Sequence, residues 1–216
     1  MTFCRVSRLF GAAVLLLALE AAAAELPPPI ELPKPNLDTP ATLVQALKAR
    51  RSASEFSPAP LTPQVLSDLL WAACGVNRED GRRTTPSAKN WQEIDVYVVL
   101  REGVYLFDAK AQALRGVIKG DVRNLTGVQD FVGGAPVNLV FVADHARMAG
   151  ASPEDRDRYA AADAAFISQN VYLWCAASGL STVVRGSLDR AALGKAVGLR
   201  PDQRIILAQT VGFPKK

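Results

Sequence analysis

Two adjacent arginines followed by a serine are the residues of this chain best suited to binding chemistry. Arg50 and Arg51 precede Ser52, and an aromatic residue, Phe56, follows shortly after them. Guanidinium groups present planar forks of donors that match phosphate oxygens, and a serine hydroxyl adds one more donor. The segment Lys48–Phe56 therefore predicts a site for a phosphorylated ligand. The same tripeptide at the end of an amphipathic helix is also typical of solvated surface, so other segments are needed to distinguish the two.

The composition is that of a globular protein with a modest charge. The 216 residues are 49% hydrophobic, which is enough for one large domain with a substantial core. The formal net charge of +4 is spread along the sequence, without the run of basic residues that a nucleic-acid or membrane-surface patch would show. We therefore expect no nucleic-acid partner.

Residues 1–24 have the pattern of a cleavable signal peptide. Arg5 and Arg8 give a positive start, an apolar run follows over residues 9–19, and Ala22–Ala24 offers a small-residue cleavage site. The apolar run is too short to cross a bilayer, and a buried N-terminal helix is the alternative. The pattern predicts export to the periplasm, whereas a wrongly assigned start would leave a cytoplasmic protein.

A proline-rich segment separates this leader from the domain. Residues 25–37 contain five prolines, which exclude a helix or a central strand and predict a tether or an arm. Residues 38–216 are then expected to form one domain.

Helix and strand patterns interleave along this domain without strict βαβ order. Four helices are expected. The first is capped at Asp38 or Thr39 and has Leu43, Val44 and Leu47 on one face, and the second runs from Thr62 to Gly75. The third runs from Ser152 to Gly179 with Tyr159, Ala162, Phe166, Val171 and Leu173 inward, and the fourth is capped at Ser187 or Asp189. Five strands are expected, at Ile94–Leu100, Val104–Phe107, Val137–Ala143, Ser181–Val184 and Ile205–Val211. This order predicts an α+β fold with helices packed on a sheet. No G-x-G-x-x-G motif follows a strand, so a Rossmann dinucleotide site is not expected.

A polar segment and three reactive side chains complete the residues that could do chemistry. Residues 77–89 carry three arginines and no apolar periodicity, which indicates a loop of the kind that often carries function. Cys74 and Cys175 lie on apolar stretches and are expected to be buried thiols, although an exported protein could pair them. His145 has no neighbouring cysteine or histidine and no G-x-S-x-G motif before it, so neither a zinc site nor a Ser/His/Asp hydrolase is expected.

Three segments occur in an order that resembles the nitroreductase family of FMN-dependent oxidoreductases. They are RRSASEF at Arg50–Phe56, PSAKNWQE at Pro86–Glu93, and QNVYLWCAASGL running into STVVRG, which ends at Gly186. A closing strand that runs into Val211–Pro214 completes the set, and the resemblance covers residues 41–214. The leader and the LLWAACGVN segment look closest to the branch that includes SagB-type peptide dehydrogenases.

The resemblance implies a fold, a cofactor and a set of cofactor contacts. It implies a mostly antiparallel central sheet and an interlocked homodimer with FMN at each of two sites between the subunits. The implied cofactor-binding residues fall into four groups. At the phosphate and the pyrimidine edge they are Arg50, Arg51, Ser52 and Ser54, and from the polar loop they are Ser87, Asn90 and Gln92. Over one flavin face they are Val183, Val184, Arg185 and Gly186, and near the end of the chain the implied residue is Lys215. A backbone N–H near Arg185 and Gly186 is expected to face the flavin nitrogen N5 that accepts hydride, and no side-chain acid or base is then required.

The sequence also departs from the family pattern. Ser54 stands where many relatives have a basic residue, which predicts a lower flavin reduction potential. Arg185 stands where simple nitroreductases commonly have glutamate, and the only basic residues beyond the closing strand are at positions 215 and 216. Plainer interpretations stay open: Asn90 as a turn former, Gln92 as surface, Arg185 as a solvated strand end and the terminal lysines as a basic tail.

The resemblance implies an enzyme that moves hydride or electrons between a reduced donor and a small organic substrate through the flavin. One alternative is a dehydrogenase of the SagB type that oxidises a peptide or heterocycle. Another is a binding protein that keeps the fold without catalysis. The sequence identifies neither the substrate nor the electron donor.

Overall fold

The computed structural model describes residues 26–38 and 41–215. The predicted signal peptide, Thr39, Pro40 and Lys216 lie outside the described residues. The helices are α1 (Leu43–Ala49), α2 (Pro63–Cys74), α3 (Pro153–Ser178) and α4 (Arg190–Ala196). The strands are β1 (Ile30–Glu31), β2 (Ile94–Val99), β3 (Gly103–Asp108), β4 (Ala113–Lys119), β5 (Val137–Asp144), β6 (Ser181–Arg185) and β7 (Gln203–Gly212). Short 3₁₀ turns occur at Ala88–Asn90, Arg123–Thr126 and His145–Arg147.

Within residues 26–38 and 41–215 the strands form one sheet in the order β1-β4-β3-β2-β5-β7-β6, and every neighbouring pair is antiparallel. The central strand β5 is buried along its whole length. Its side chains alternate between two cores: Leu139 and Phe141 pack with residues of α2 and α3, whereas Val140 and Val142 pack with residues of α4. The predicted α+β fold is confirmed.

The ends of the two longest helices follow from local chemistry. The Thr62 and Ser152 hydroxyls accept the backbone N–H groups of Val65 and Asp155, which caps α2 and α3. Gly179 ends α3 at φ +69°, a backbone conformation that favours glycine. These boundaries confirm the sequence predictions. No helix in the part of the chain that the structure describes is long and apolar enough to cross a bilayer.

The first helix differs from its prediction. Thr42 caps α1 through a capping box with Gln45, so the predicted cap at Asp38 or Thr39 is wrong. The apolar residues Leu43, Val44 and Leu47 are 64%, 58% and 51% exposed, and Ala46 is the buried residue of the helix. Within the described residues the apolar face of this two-turn helix is therefore largely uncovered.

Phe166 also differs from its prediction. It was expected to point inward from α3, but it is 47% exposed. The buried residues of α3 lie along one side of the helix, and Phe166 lies on the other side, one position before the buried Ile167. An apolar side of α3 is therefore uncovered, as on α1.

The proline-rich segment, predicted as a tether or an arm, contacts the domain at several points. Ile30 pairs with Leu114 of β4 at the sheet edge, and the hydroxyl of Ser67 donates to the Pro33 carbonyl at 2.5 Å. Strand β4 itself was not predicted, because Arg115 and Gly116 interrupt its apolar pattern. Gly116 is required there, since a Cβ atom would lie 2.0 Å from the Pro27 carbonyl oxygen.

Cys74 and Cys175 are both free thiols buried in the same core, which confirms the simpler prediction for them. Burial raises the pKa of the Cys74 thiol to about 11 and raises that of Cys175 still further. Neither thiol is a reactive thiolate near neutral pH.

Candidate functional site

The arginine pair lies at the end of α1 and is free to bind an anion. Arg50 and Arg51 are exposed, and with Lys48 they line a cavity of about 350 Å³ that has no carboxylate among its lining residues. Within residues 26–38 and 41–215 neither arginine forms an ion pair. The Arg50 guanidinium lies 5.4 Å from the centre of the Tyr172 ring, which orients it. Two arginines without a carboxylate partner at the same cavity are suited to bind a phosphate group.

Tyr172 joins this segment to the sheet. Its hydroxyl is 2.8 Å from the Ser52 Oγ and accepts the Val184 backbone N–H at 3.0 Å. The Ala53 N–H donates to the Thr182 carbonyl at 3.0 Å. The structure therefore brings the predicted residues Ser52 and Val184 together through a tyrosine that the sequence analysis did not single out.

Replacing Tyr172 with phenylalanine should lower the free energy of unfolding by about 1 to 3 kcal/mol, because the Val184 N–H and the Ser52 hydroxyl lose their shared partner. Urea denaturation measures the change. Tyr105→Phe is the matched control, since Tyr105 is equally buried and makes no side-chain hydrogen bond within the described residues. Equal losses in the two variants would contradict a joining role for Tyr172.

The end of the chain returns to the same region. The Ser57 N–H donates to the Phe213 carbonyl at 2.9 Å, and Phe56 and Pro214 form a β-bridge. Pro214 lines the arginine cavity, so Lys215 follows directly after one of its lining residues. Ser54 is exposed. The roles predicted for Ser54 and Lys215 stay predictions.

Three other predicted residues line a separate cavity of about 470 Å³. Ser87, Asn90 and Gln92 contribute to its wall, and four cations lie around it: Arg78, Arg82, Arg83 and Lys89. The Gln92 side chain accepts from Arg83 Nε at 3.0 Å and donates to Asn90 Oδ1 at 3.0 Å. The interpretation of Gln92 as plain surface is therefore wrong, because it is half-buried and joins two other wall residues.

The backbone of this loop is strained. Lys89, Asn90 and Gln92 have φ values of +49°, +55° and +48°. Asparagine tolerates this left-handed region, but lysine and glutamine each lose about 1 to 2 kcal/mol there. Strain of this kind persists only where surrounding contacts hold it, and it clusters at binding sites. Here Arg147 holds the Gln92 carbonyl at 2.8 Å.

Two buried carboxyl groups lie beneath the strained loop, and sequence reasoning missed both. Glu93 is fully buried and Asp163 is 4% exposed, and both line the second cavity. Ser87 donates to Glu93 Oε2 at 3.2 Å, and Asp163 Oδ2 accepts the Ala88 N–H at 2.9 Å. Asp163 lies four residues before the buried Ile167 on α3, so helical spacing could have identified it as a buried acid.

The two cavities lie on opposite sides of α3. Tyr172 lines the first and Asp163 the second, and the two cavities share no lining residue. Nine residues along a helix correspond to about 13 Å of rise and about two and a half turns, which places the two side chains at opposite edges of the buried helix face. One chain therefore does not bring Arg50 and Asn90 to a common cavity.

Arg185 is buried, so its interpretation as a solvated strand end is wrong. The residue is 5% exposed, and its guanidinium donates to the Thr126 carbonyl at 2.5 Å, to Asn138 Oδ1 at 2.9 Å and to Thr210 Oγ1 at 2.7 Å. Gly127 leaves room for it, since a Cβ atom there would lie 1.9 Å from Arg185 Nη1. Burial lowers the pKa of Arg185 to about 10. Its side chain turns into the protein, which leaves the backbone of β6 to contact a ligand.

The remaining predicted residues lie beside it. Val183 and Val184 are half-buried, and Gly186 is exposed just beyond the end of β6. A Cβ atom on Gly186 would meet only a Leu207 methyl group at 4.0 Å, so the backbone there is open to a ligand. Their contacts with a flavin stay predictions.

A family model described as the nitroreductase family matches residues 47–213. Because this match covers most of the chain, the protein belongs to the nitroreductase family, and the resemblance seen in the sequence is confirmed. The family places the chain among oxidoreductases.

Individual relatives agree with this assignment. A candidate nitroreductase of Methanocaldococcus jannaschii, MJ1384, is 32% identical over 155 residues, which are 67% of this chain and 78% of that protein. The crystal structure of a candidate nitroreductase from Ralstonia eutropha has a TM-score of 0.83 at 44% identity, and the match covers 87% of this chain and 90% of that chain. The NADPH:FMN oxidoreductase from Vibrio harveyi has a TM-score of 0.60 at 21% identity, covering 81% of this chain and 69% of that chain. At that identity the likeness shows the fold alone.

Proposed function

We propose that the protein is an FMN-dependent oxidoreductase that moves hydride between a reduced donor and a small organic substrate. The observation that carries the proposal is the unneutralised pair Arg50 and Arg51, attached to β6 through Ser52, Tyr172 and Val184. A phosphate at the pair would lie next to the strand whose backbone is open at Gly186. FMN has a phosphate at one end and a flat ring at the other, and the fold of an NADPH:FMN oxidoreductase supports the same choice.

We propose further that the cofactor is held between two copies of the chain. The loop of Ser87, Asn90 and Gln92 lies on the far side of α3 from the arginine pair, so a second subunit is needed to bring the two sets together. The uncovered apolar side chains support this arrangement, since Leu43, Val44, Leu47 and Phe166 are each about half exposed or more. Exposed large apolar side chains that cluster on a helix, as on α1, are typical of a protein–protein interface.

Each part of the site has a physical role in this proposal. FMN, when bound, supplies the capacity to accept and donate hydride. Arg50 and Arg51 bind its phosphate, and Tyr172 fixes the segment that carries them. The amide side chains of Asn90 and Gln92 hydrogen-bond polar edges and exclude water from the cavity. The chain provides placement and fixed donors, and within the described residues no histidine lies among the lining residues of either cavity.

FMN binding tests the proposed function. The protein expressed from residue 25 onward should purify yellow, or bind added FMN with a change in the flavin absorbance bands. NADH and candidate substrates can then be added separately: reduction of the flavin by NADH would favour a reductase, and reduction only by a peptide or heterocycle would favour a SagB-type dehydrogenase. A colourless protein that binds no added FMN would overturn the proposal.

We also propose that residues 1–24 are a cleaved signal peptide and that the enzyme works in the periplasm, with the domain spanning residues 38–216. The basis is the charge and small-residue pattern of the leader. Cell fractionation and sequencing of the mature N-terminus test it. A mature protein that begins at Met1 in the cytoplasm would contradict export.

A further inference from the structure

The buried carboxyl pair beneath the strained loop is used by none of the contacts proposed for FMN. Glu93, just before β2, and Asp163, on α3, line the same cavity and hydrogen-bond the adjacent residues Ser87 and Ala88. Glu93 Oε1 is buried and has no hydrogen-bond donor within the described residues. Neither carboxyl forms an ion pair in that part of the chain. Two ionised carboxylates in this position would repel each other.

The pair holds the loop at two points that flank its strained residues. Asp163 accepts the Ala88 N–H at 2.9 Å, before Lys89 and Asn90. Glu93 accepts from the Ser87 hydroxyl at 3.2 Å, and the same hydroxyl accepts the Gln92 N–H at 2.8 Å. Besides Arg147, which binds the Gln92 carbonyl, these contacts of the loop lead to the two carboxyl groups.

We propose that Glu93 carries a proton that it donates to Asp163, and that this shared proton holds the loop of residues 87–92 in the shape that binds the cofactor. Both residues act as positioning residues, through Ser87 and the backbone. The inference about the loop stands on the geometry of the chain, and its consequence for FMN affinity rests on the proposed function.

The electrostatic surroundings agree with a protonated Glu93. Burial raises the pKa of Glu93 above its ordinary value of 4.5, and the neighbouring Asp163 raises it further, while hydrogen bonds from backbone and from Ser87 lower it. The charged side chains that face the pair line the same cavity: Arg78, Arg82, Arg83 and Lys89. Arg82 pairs with Asp80 at 3.2 Å, and Arg83 Nε donates to Gln92. These hydrogen bonds direct the two guanidinium groups to other partners.

The direction of the pH effect follows from this arrangement. A carboxyl whose pKa is raised by folding binds more protons in the folded than in the unfolded state, so stability falls as pH rises from the unfolded to the folded pKa. Above the folded pKa the shared proton is lost and the two carboxylates repel each other, which pushes apart the two groups that anchor the loop. We therefore expect FMN affinity to fall by up to about tenfold per pH unit above the folded pKa of Glu93.

Glu93→Gln separates this proposal from a merely structural role. Glutamine has the same shape, can donate to Asp163 and accept from Ser87 at any pH, and has no proton to lose. Trp91 reports the loop without any cofactor, because its ring lies 5.9 Å from that of Tyr159 and 5.0 Å from the Lys89 ammonium. The fluorescence signal of Trp91 is obtained by subtracting the Trp91→Phe spectrum.

In cofactor-free wild-type protein, both the Trp91 fluorescence and the unfolding constant in urea should change with pH. In Glu93→Gln the fluorescence step should disappear, and the slope of the logarithm of the unfolding constant against pH should decrease by the contribution of one proton. Glu102→Gln, which changes an exposed glutamate, should keep the wild-type dependence. Asp163→Asn is the second variant, in which loss of the neighbouring charge should move the transition to lower pH. Identical pH profiles in wild type, Glu93→Gln and Asp163→Asn would overturn the proposal.

The same measurements keep this inference distinct from the proposed function. A pH transition of Trp91 that disappears in Glu93→Gln, in a protein that binds no FMN, would support the carboxyl pair and overturn the flavin assignment. FMN binding with the same pH dependence in wild type and Glu93→Gln would support the flavin assignment and overturn the pair.

Discussion

Replacing Arg51 with alanine is expected to weaken FMN binding by about tenfold or more. A charge-assisted hydrogen bond to a phosphate contributes roughly 1.5 to 3 kcal/mol, and each 1.4 kcal/mol corresponds to a factor of about ten in affinity. Arg51 is exposed and has no ion pair within the described residues, so its removal should leave the fold intact. Titration of cofactor-free protein with FMN, followed by absorbance or calorimetry, measures the change.

Arg101→Ala is the matched control, since Arg101 is also exposed but lies in the turn between β2 and β3. It should bind FMN as the wild type does. Increasing salt should weaken wild-type binding more than binding by Arg51→Ala, because the charge contact is screened. Wild-type affinity in Arg51→Ala would remove this residue from the site.

Replacing Arg185 with methionine is expected to lower the free energy of unfolding by about 2 to 3 kcal/mol. Two effects oppose each other here. Methionine removes a buried cation that has no carboxylate partner within the described residues, which favours the variant. It also leaves the Thr126 carbonyl and the Asn138 Oδ1 with fewer donors, at about 1 to 3 kcal/mol each. The second effect should dominate, because Arg185 makes three hydrogen bonds to groups that cannot move to water.

Arg190→Met is the matched control for that variant. Arg190 donates to the carbonyls of Ile205 and Ile206 at 3.0 Å each, but it is exposed and water can replace its hydrogen bonds. Its loss should cost about 0.5 kcal/mol. Urea denaturation of both variants makes the comparison. A more stable Arg185→Met protein would show that desolvation of the cation outweighs its hydrogen bonds.

Local signals predicted the parts of the fold that local chemistry controls. The caps at Thr62 and Ser152 and the apolar run of β5 each depend on neighbours in sequence, and the structure confirms them. Strand β4 was missed because Gly116 belongs to a close approach of the Pro27 backbone, which is a contact distant in sequence. The short helix α1 was misplaced because two hydroxyl residues and an aspartate compete to cap it.

The candidate site was predictable only as a set of motifs. Ordered segments identified the arginine pair and the polar loop, and the structure shows that α3 separates them within one chain. The side chains that hold these segments were missed, because Tyr172 and Asp163 occur within an apolar helix pattern and act through tertiary contacts. Arg185 was predicted from its place in a motif, and only the packing of residues 126–138 shows that its side chain turns inward.

Mixed dimers test the proposed site between two subunits most directly. One subunit would carry Arg51→Ala and the other Asn90→Ala, and FMN bound per dimer would be counted by native mass spectrometry. If each site takes Arg51 from one subunit and Asn90 from the other, one site is doubly altered and the other is intact, so the mixed dimer should bind one FMN with wild-type affinity. Two sites that are both weakened, one by Arg51→Ala and the other by Asn90→Ala, would show that both residues act within one subunit and would contradict the account.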